Sequence, residues 1–240
     1  MTELSSSVHG QTGSADWVRG ADIFIPISLG NHFYSSEVLR KVLAQFVSKS
    51  RASIIFLCNR LRFLSYRIRG ETDIDKINAT IGLQLEQITR ALNNVGLGSY
   101  SNATVGDWSF LQGDPRYLGL VSSLEDFARN DSTVNQTLGQ HATQLLSRFS
   151  DKSTSDELIS LQIQYILEET SLSLYMTEVR GFNVEVYRRG MGFVDYLYNH
   201  RPDDVQRLTG AARLSRRFVA IEDWLSPKKR QSASGDRHVF

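Results

Sequence analysis

Ser28 ends an apolar run, Ile23-Phe24-Ile25-Pro26-Ile27, and Gly30, Asn31, His32 and two aromatics follow before an amphipathic helix opens at Ser35-Ser36. A hydroxyl at the end of a buried strand, facing a helix N-terminus, is where α/β folds place reacting groups. Ser28 could attack a carbonyl there while backbone amides steady the oxyanion. Serine also ends strands simply because it turns well, and position alone leaves both roles open. His32 offers a serine–histidine dyad, but no Gly-x-Ser-x-Gly elbow surrounds Ser28. Tyr165 and Glu169 stand at i and i+4 in a helical pattern and share a face. A phenol beside a carboxylate can hold an ammonium group and later take its proton; the same pair, with Glu168, could equally be solvated surface. Tyr187 closes an alternating stretch in which Asn183, Glu185 and Tyr187 point one way and Phe182, Val184 and Val186 the other. Cys58 ends a second apolar run, Ser53 to Leu57, and reads as a small buried residue rather than a thiol nucleophile.

Other chemistries find little support. There is no Gly-x-Gly-x-x-Gly and no Walker A sequence, so ATP binding by the usual loops is not expected. The five histidines lack metal-ligand spacing, and neither a metal nor a cofactor is assigned. Arg51, Arg60, Arg62, Arg67 and Arg69 cluster around Phe63 and Tyr66, which makes either a phosphate-contact patch or a solvated basic face.

The elements that must position these groups follow from hydrophobic period. Strands are expected at 22–28, 53–58, near 103–108 and at 182–187. Helices are expected at 36–48, 73–95, 114–129, 132–149, 155–169 and, briefly, near 190–199. The order β-α-β-α-β, then helices and a late returning strand, predicts a Rossmann-like three-layer α/β sandwich with a parallel sheet and helical insertions. The 240 residues carry a formal net charge of +1, so an electrostatic case for nucleic acid must rest on local clusters. With 41% hydrophobic and 22% charged residues the composition is that of a soluble globular chain. Residues 19–226 are expected to form one domain, with polar, disordered tails at 1–18 and 227–240, the second basic. No signal peptide and no membrane span is read, which gives a cytoplasmic expectation, and the four Asn-x-Ser/Thr matches are taken as chance.

In this order, Ile27-Ser28-Leu29-Gly30-Asn31-His32-Phe33-Tyr34, Tyr165-Ile166-Leu167-Glu168-Glu169 and Val186-Tyr187 resemble the cyclodipeptide synthase family, with weaker agreement around Trp108 and from Pro115-Arg116-Tyr117 to Phe127. The resemblance covers roughly residues 20–200 and implies a monomer similar to the catalytic domain of class I tyrosyl- and tryptophanyl-tRNA synthetases. It implies two aminoacyl-tRNAs as substrates and a cyclic dipeptide, a 2,5-diketopiperazine, as product. Carried over residue by residue, Ser28 would hold the first aminoacyl group and Asn31 would support the site. Tyr165 and Glu169 would bind its amine, with Glu169 as proton acceptor. The second aminoacyl-tRNA would then give a dipeptidyl enzyme, and Tyr187 would aid the proton transfers of cyclisation. The first residue's side chain would lie near Phe24, Pro26 and Glu185, with Ile55 a further wall. A carboxylate there needs a partner, which suggests arginyl-tRNA ahead of lysyl-tRNA as first donor; Glu185 solvated or paired with Arg188 or Arg189 is the alternative. The chain departs from the family at Arg188, where proline or histidine is common. It departs again at 76–95, where a strongly basic tRNA helix would be expected and only Lys76 and Arg90 occur. Arg60, Arg62, Arg67 and Arg69, or the tail from Arg213, Arg216 and Arg217 to Lys228, Lys229 and Arg230, would then contact tRNA. A serine hydrolase using Ser28 and His32, and a non-catalytic aminoacyl-tRNA-binding module, are the competing readings.

Overall fold

A computed structural model describes residues 18–147 and 155–222. The strands β1 (Asp22–Ile27), β2 (Ala52–Leu57), β3 (Ala103–Asp107), β4 (Val184–Tyr187) and β5 (Arg217–Ala220) form one sheet in the order β3-β2-β1-β4-β5. Every pairing is parallel. The chain steps from β1 outward to β3, then returns to lay β4 on the other side of β1. That reversal leaves a crevice at the C-terminal ends of β1 and β4.

Alternation splits the core in two. Ile23, Ile25, Ile27, Ile55, Leu57, Val184 and Val186 pack on one face with helices α1 (Ser36–Gln45) and α3 (Ile74–Asn94). Phe24, Ile54, Phe56 and Tyr187 pack on the other, with α5 (Pro115–Asn130), α6 (Ser132–Leu146), α7 (Asp156–Leu174) and α8 (Gly192–His200). Burial on both faces is why β1 and β2 read as continuous apolar runs. Side-chain caps start the helices where expected: Ser35, Asp73, Asp114, Asp131 and Ser155 each accept a backbone N–H of the first turn.

Several elements differ from the sequence reading. α1 ends at Gln45, and Val47–Lys49 is a separate 3₁₀ turn. α7 runs past 169 to Leu174 and continues as a π-helical stretch, Tyr175–Val179. Its far end, Thr170 to Met176, is buried all round, so it carries no amphipathic stripe to be read. Thr170 and Thr177 fold their hydroxyls back onto the carbonyls of Ile166 and Ser173 at 2.6 and 2.7 Å, and Thr177 also meets the Tyr198 phenol at 3.1 Å. α2 (Asn59–Ile68), the short α4 (Ser109–Gln112), α9 (Pro202–Thr209) and β5 were not read as elements at all. The expected tails lie outside the described residues except Val18, which is fully buried. Among the described residues no helix is long and apolar enough to cross a membrane.

Phe56 is fully buried, with ring centroids 6.2 Å from Phe24 and 5.6 Å from Trp108. Phe56→Ala should therefore cost about 3–5 kcal/mol in urea unfolding, and a loss below about 1 kcal/mol would contradict this packing.

Candidate active site

β1 and β4 pair only at Ile23↔Val184 and Phe24↔Glu185. Pro26 has no N–H to donate, and from there the two strands part. Ser28 and Tyr187, each just past or at its strand end, face one another across the gap, and Ser28 Oγ lies 2.8 Å from Tyr187 Oη. The phenol donates to Glu169 Oε1 on α7 at 3.3 Å. With Tyr187 donating, Ser28 must donate to Tyr187, so one hydrogen-bonded chain runs hydroxyl, phenol, carboxylate. Tyr165, one turn before Glu169, reaches the cleft in front of Ser28.

Burial governs the electrostatics. Glu169 is pushed up from 4.5 to about 7, first by loss of water; its bond from Tyr187 opposes this, and the charges of Glu185 and Asp195 add to it. The phenols of Tyr165 and Tyr187 are driven well above their ordinary range by burial and by Glu169. Both therefore stay protonated and act as hydrogen-bond donors or relays. The Cys58 thiol is pushed up by burial in the same way, which makes it inert as a nucleophile.

Around this chain lie three spaces. An open cleft of about 900 Å³ is lined by Ser28, Asn31, His32, Arg62, Tyr165 and Arg188 among others. A nearly closed recess of about 10 Å³, room for about one water, is walled by Phe24, Pro26, Glu169, Glu185, Tyr187 and Met191 among others. A third cavity of about 230 Å³ lies between α6, α7 and α8, with Glu169, His141, Ile166 and Phe193 on its walls. Among the described residues no group of three or more His, Cys, Asp or Glu side chains could hold a metal ion.

The turn after Ser28 is tightly specified. Gly30 has φ +64, and a Cβ there would come within 2.7 Å of the Arg62 guanidinium. Asn31 Oδ1 accepts from the Phe33 N–H at 3.1 Å and from Arg188 Nη1 at 3.2 Å. Arg188, the family departure, thus docks on Asn31, lies over the Phe33 ring, and shares Glu222 with Arg189.

Some candidates fall elsewhere. Ile55 pairs in register with Ile25 and points to the opposite face of the sheet, away from the recess. Arg60 is held bidentately by Glu168 at 2.9 to 3.2 Å, so Glu168 is not simply solvated surface. Arg62 on α2 and Arg69, just past its C-terminal end, line the cleft, whereas Arg60 and Arg67 do not. His32 is exposed, and among the described contacts Ser28 Oγ bonds Tyr187 rather than His32. Glu185 is fully buried, and its cation is neither solvent nor Arg188 or Arg189 but Arg216, at 2.6 Å. Arg216 was grouped with the basic tail; it is buried, as are Ser173 and, in part, Asp195, which complete this cluster. The sequence held one signal for it, a carboxylate alternating into an apolar face. Its partner could not be named without the pairing of β4 to β5.

A hydroxyl at a crevice of a parallel sheet, wired through a phenol to a high-pKa carboxylate and facing a wide basic cleft, has the parts of an acyl-transfer enzyme on a nucleotide-type fold. The family model for cyclodipeptide synthases matches residues 7–206, and this chain belongs to that family. It is accordingly a tRNA-dependent aminoacyltransferase that makes cyclic dipeptides from aminoacyl-tRNAs. No curated protein sequence matches it. Among solved structures it is similar to AlbC, a cyclodipeptide synthase from Streptomyces noursei, at 15% identity and TM-score 0.63, covering 87% of this chain and 100% of that one. A cyclodipeptide synthase from Fluoribacter dumoffii gives 15% identity and TM-score 0.65, covering 83% and 88%. Tyrosyl-tRNA synthetase from Archaeoglobus fulgidus gives 14% and TM-score 0.56, covering 85% of this chain and 56% of that one. At these identities the likeness is one of fold.

The carboxyl of Glu169 should titrate near 7 by infrared difference against Glu169→Gln. Because Tyr187 lowers that value, Tyr187→Phe should move the titration to higher pH, and an unmoved titration would break the proposed chain. A folded pKa above the unfolded 4.5 gives stability that is present below about 4.5 and lost as pH rises through about 7.

Proposed function

We propose that the chain makes its cyclic dipeptide by a ping-pong route through an aminoacyl ester on Ser28. The observation that carries this is the hydrogen-bonded chain Ser28–Tyr187–Glu169 at the floor of the open cleft. Ser28 Oγ bonds to the carbonyl carbon of the first aminoacyl-tRNA. The bond from that carbon to the terminal ribose oxygen breaks, and the serine proton passes through the Tyr187 relay to the departing oxygen. Glu169, beside Tyr165, takes a proton from the α-ammonium of the bound residue. The freed amine attacks the ester carbonyl of the second aminoacyl-tRNA, whose ribose oxygen leaves with a proton, giving a dipeptidyl enzyme. Glu169 releases its proton to water and takes one from the new terminal ammonium; the freed amine attacks the Ser28 ester, the bond from the carbonyl carbon to Ser28 Oγ breaks, the attacking nitrogen's proton returns to Oγ, and the ring closes. Both esters arrive activated, so the protein has mainly to position groups and handle protons, and no ATP step is needed. A carboxyl near 7 suits a base that must be free at neutral pH yet still accept an ammonium proton. The described residues of one chain supply every group used, in keeping with a monomeric enzyme.

The recess holding Glu185 is the pocket for the first side chain in this reading, and a cationic residue, arginine ahead of lysine, fits it best. Glu185 Oε2 is taken by Arg216 and Ser173, but Oε1 is buried with no partner among the described residues. Glu169 and Asp195 add negative charge nearby. A long side chain reaches Oε1 only if the recess widens, and Met191, unbranched on its wall, is the residue suited to move. The cavity beyond Glu169 gives room for the second aminoacyl group. Arg62, Arg69 and Arg188 line the cleft where the phosphates of a tRNA acceptor end would pass.

Expression in a bacterium, with mass spectrometry of the medium, tests the reaction. Wild type should release a diketopiperazine with a cationic residue, Ser28→Ala none, and Tyr187→Phe should fall by about 10²-fold or more. Full product from Ser28→Ala would leave the covalent route without support, and loss on His32→Ala alone would favour the hydrolase-like dyad. For the tRNA path, Arg62→Ala and Arg69→Ala should each weaken binding and reduce the salt dependence of activity by about one phosphate contact. Unchanged salt dependence in both would place the tRNA elsewhere.

A further inference from the structure

Glu185 and Arg216 form a deeply buried ion pair, their side chains 1% and 5% exposed. A pair buried this far adds little to folding that apolar residues of the same size would not, so stability does not account for it. Nor does the family match, which ends at residue 206, before Arg216 begins the β5 segment. What the pair does is geometric. The guanidinium lies 4.9 Å from the Tyr198 ring and 4.8 Å from the Phe218 ring, so its plane is held by aromatic neighbours. Its Nε donates to Glu185 Oε2 at 2.6 Å and its Nη1 to Asp195 Oδ1 at 3.0 Å, while Nη2 is left without a partner among the described residues. Ser173 Oγ donates to the same Oε2 at 2.8 Å. All the bonds thus fall on one carboxylate oxygen, and the other, Oε1, is left over on a residue that walls the recess with Phe24, Pro26 and Met191. A lone carboxyl this deep would take up a proton and turn neutral. Arg216 works against that without filling the second oxygen, although burial still holds the Glu185 carboxyl above its ordinary range.

We propose that Arg216 is a specificity-setting positioning residue: it holds Glu185 ionised and in one orientation, leaving Oε1 to select a first substrate residue whose side chain donates N–H, a cationic one above all, over an apolar one. This rests on the reading of Glu185 as a wall of the first-residue pocket. An isosteric apolar residue at Arg216 leaves a protonated carboxyl that accepts poorly and no longer attracts a cation, so discrimination falls even though Arg216 need not touch the substrate.

The test is a competition. The full chain is mixed with a pool of tRNAs charged with all amino acids, quenched, and the amino acid esterified to Ser28 identified by peptide mass spectrometry. Wild type should load a side chain with an N–H donor, and Arg216→Met should lower its preference over leucine by at least roughly tenfold, the discrimination that a hydrogen bond to a charged group supplies. Arg216→Lys, which keeps the charge, should restore the identity of the loaded residue. If Arg216→Met does not fold by circular dichroism, the double variant Glu185→Leu with Arg216→Met removes both charges at similar volume and should fold and load apolar residues. An unchanged ratio in Arg216→Met, or a donor preference kept by the double variant, overturns the proposal. Glu185→Gln separates the two readings. If it alters the loaded residue while Arg216→Met does not, Glu185 is the selector and the role given to Arg216 is wrong. If Glu185→Gln and wild type load the same residue, the pocket reading itself fails.

Discussion

The structure depends on where β1 stops pairing with β4. Two residue pairs join these strands, and beyond Phe24↔Glu185 a proline and the twist of the sheet let them diverge. Had the ladder continued, the ends of β1 and β4 would be joined and no crevice would open between Ser28 and Tyr187. Because it ends, their side chains meet across a gap at 2.8 Å, and the carboxylate of α7 can enter from above. The same short ladder puts Glu185 beside Phe24, inside the protein rather than at its rim. Reactive chain and side-chain recess are thus two consequences of one interrupted pairing.

Placing Glu169, Glu185 and Asp195 together works against stability. Glu185 and Asp195 raise the proton affinity of Glu169, Asp195 also raises that of Glu185, and one buried guanidinium answers Glu185 and Asp195 together. The arrangement instead holds the Glu169 carboxyl near 7 and keeps the phenols beside it protonated. The polar groups are held by elements of strong local order, a buried helix and the ends of central strands, so the geometry does not rest on loops alone.

The second charged layer comes from the end of the chain. β5 and the residues around it send Arg216 to Glu185 and Glu222 to Arg188 and Arg189. Arg188 in turn reaches Asn31, three residues from Ser28. A segment past the region that matches the family thereby braces both sides of the site, and the unusual Arg188 is accommodated by an acid that the same segment supplies.

Period and capping made most of the frame legible. The apolar runs at Ile23–Ile27 and Ser53–Leu57 read as buried strands from their content and length, and the helices expected from 36, 73 and 114 start at Ser36, Ile74 and Pro115, each behind a side-chain cap. Three short motifs in order carried the family, and with it Ser28, Glu169 and Tyr187. What stayed hidden were the buried end of α7, which has no polar face, and short elements of polar or minimal sequence: α2, α9 and the four-residue β5. Alternation could say that Glu185 shares a face with Tyr187, yet the resemblance puts Ile55 at the pocket where the sheet turns it to the opposite face, and Arg216 belongs to the fold rather than to a tail. The sequence by itself determined residue types, local order and the family, because those follow from short motifs and their spacing along the chain. Only the tertiary structure decided that Ser28 bonds Tyr187, that Arg60 is spent on Glu168, and that Glu185 has Arg216, because those choices depend on which distant strands lie side by side.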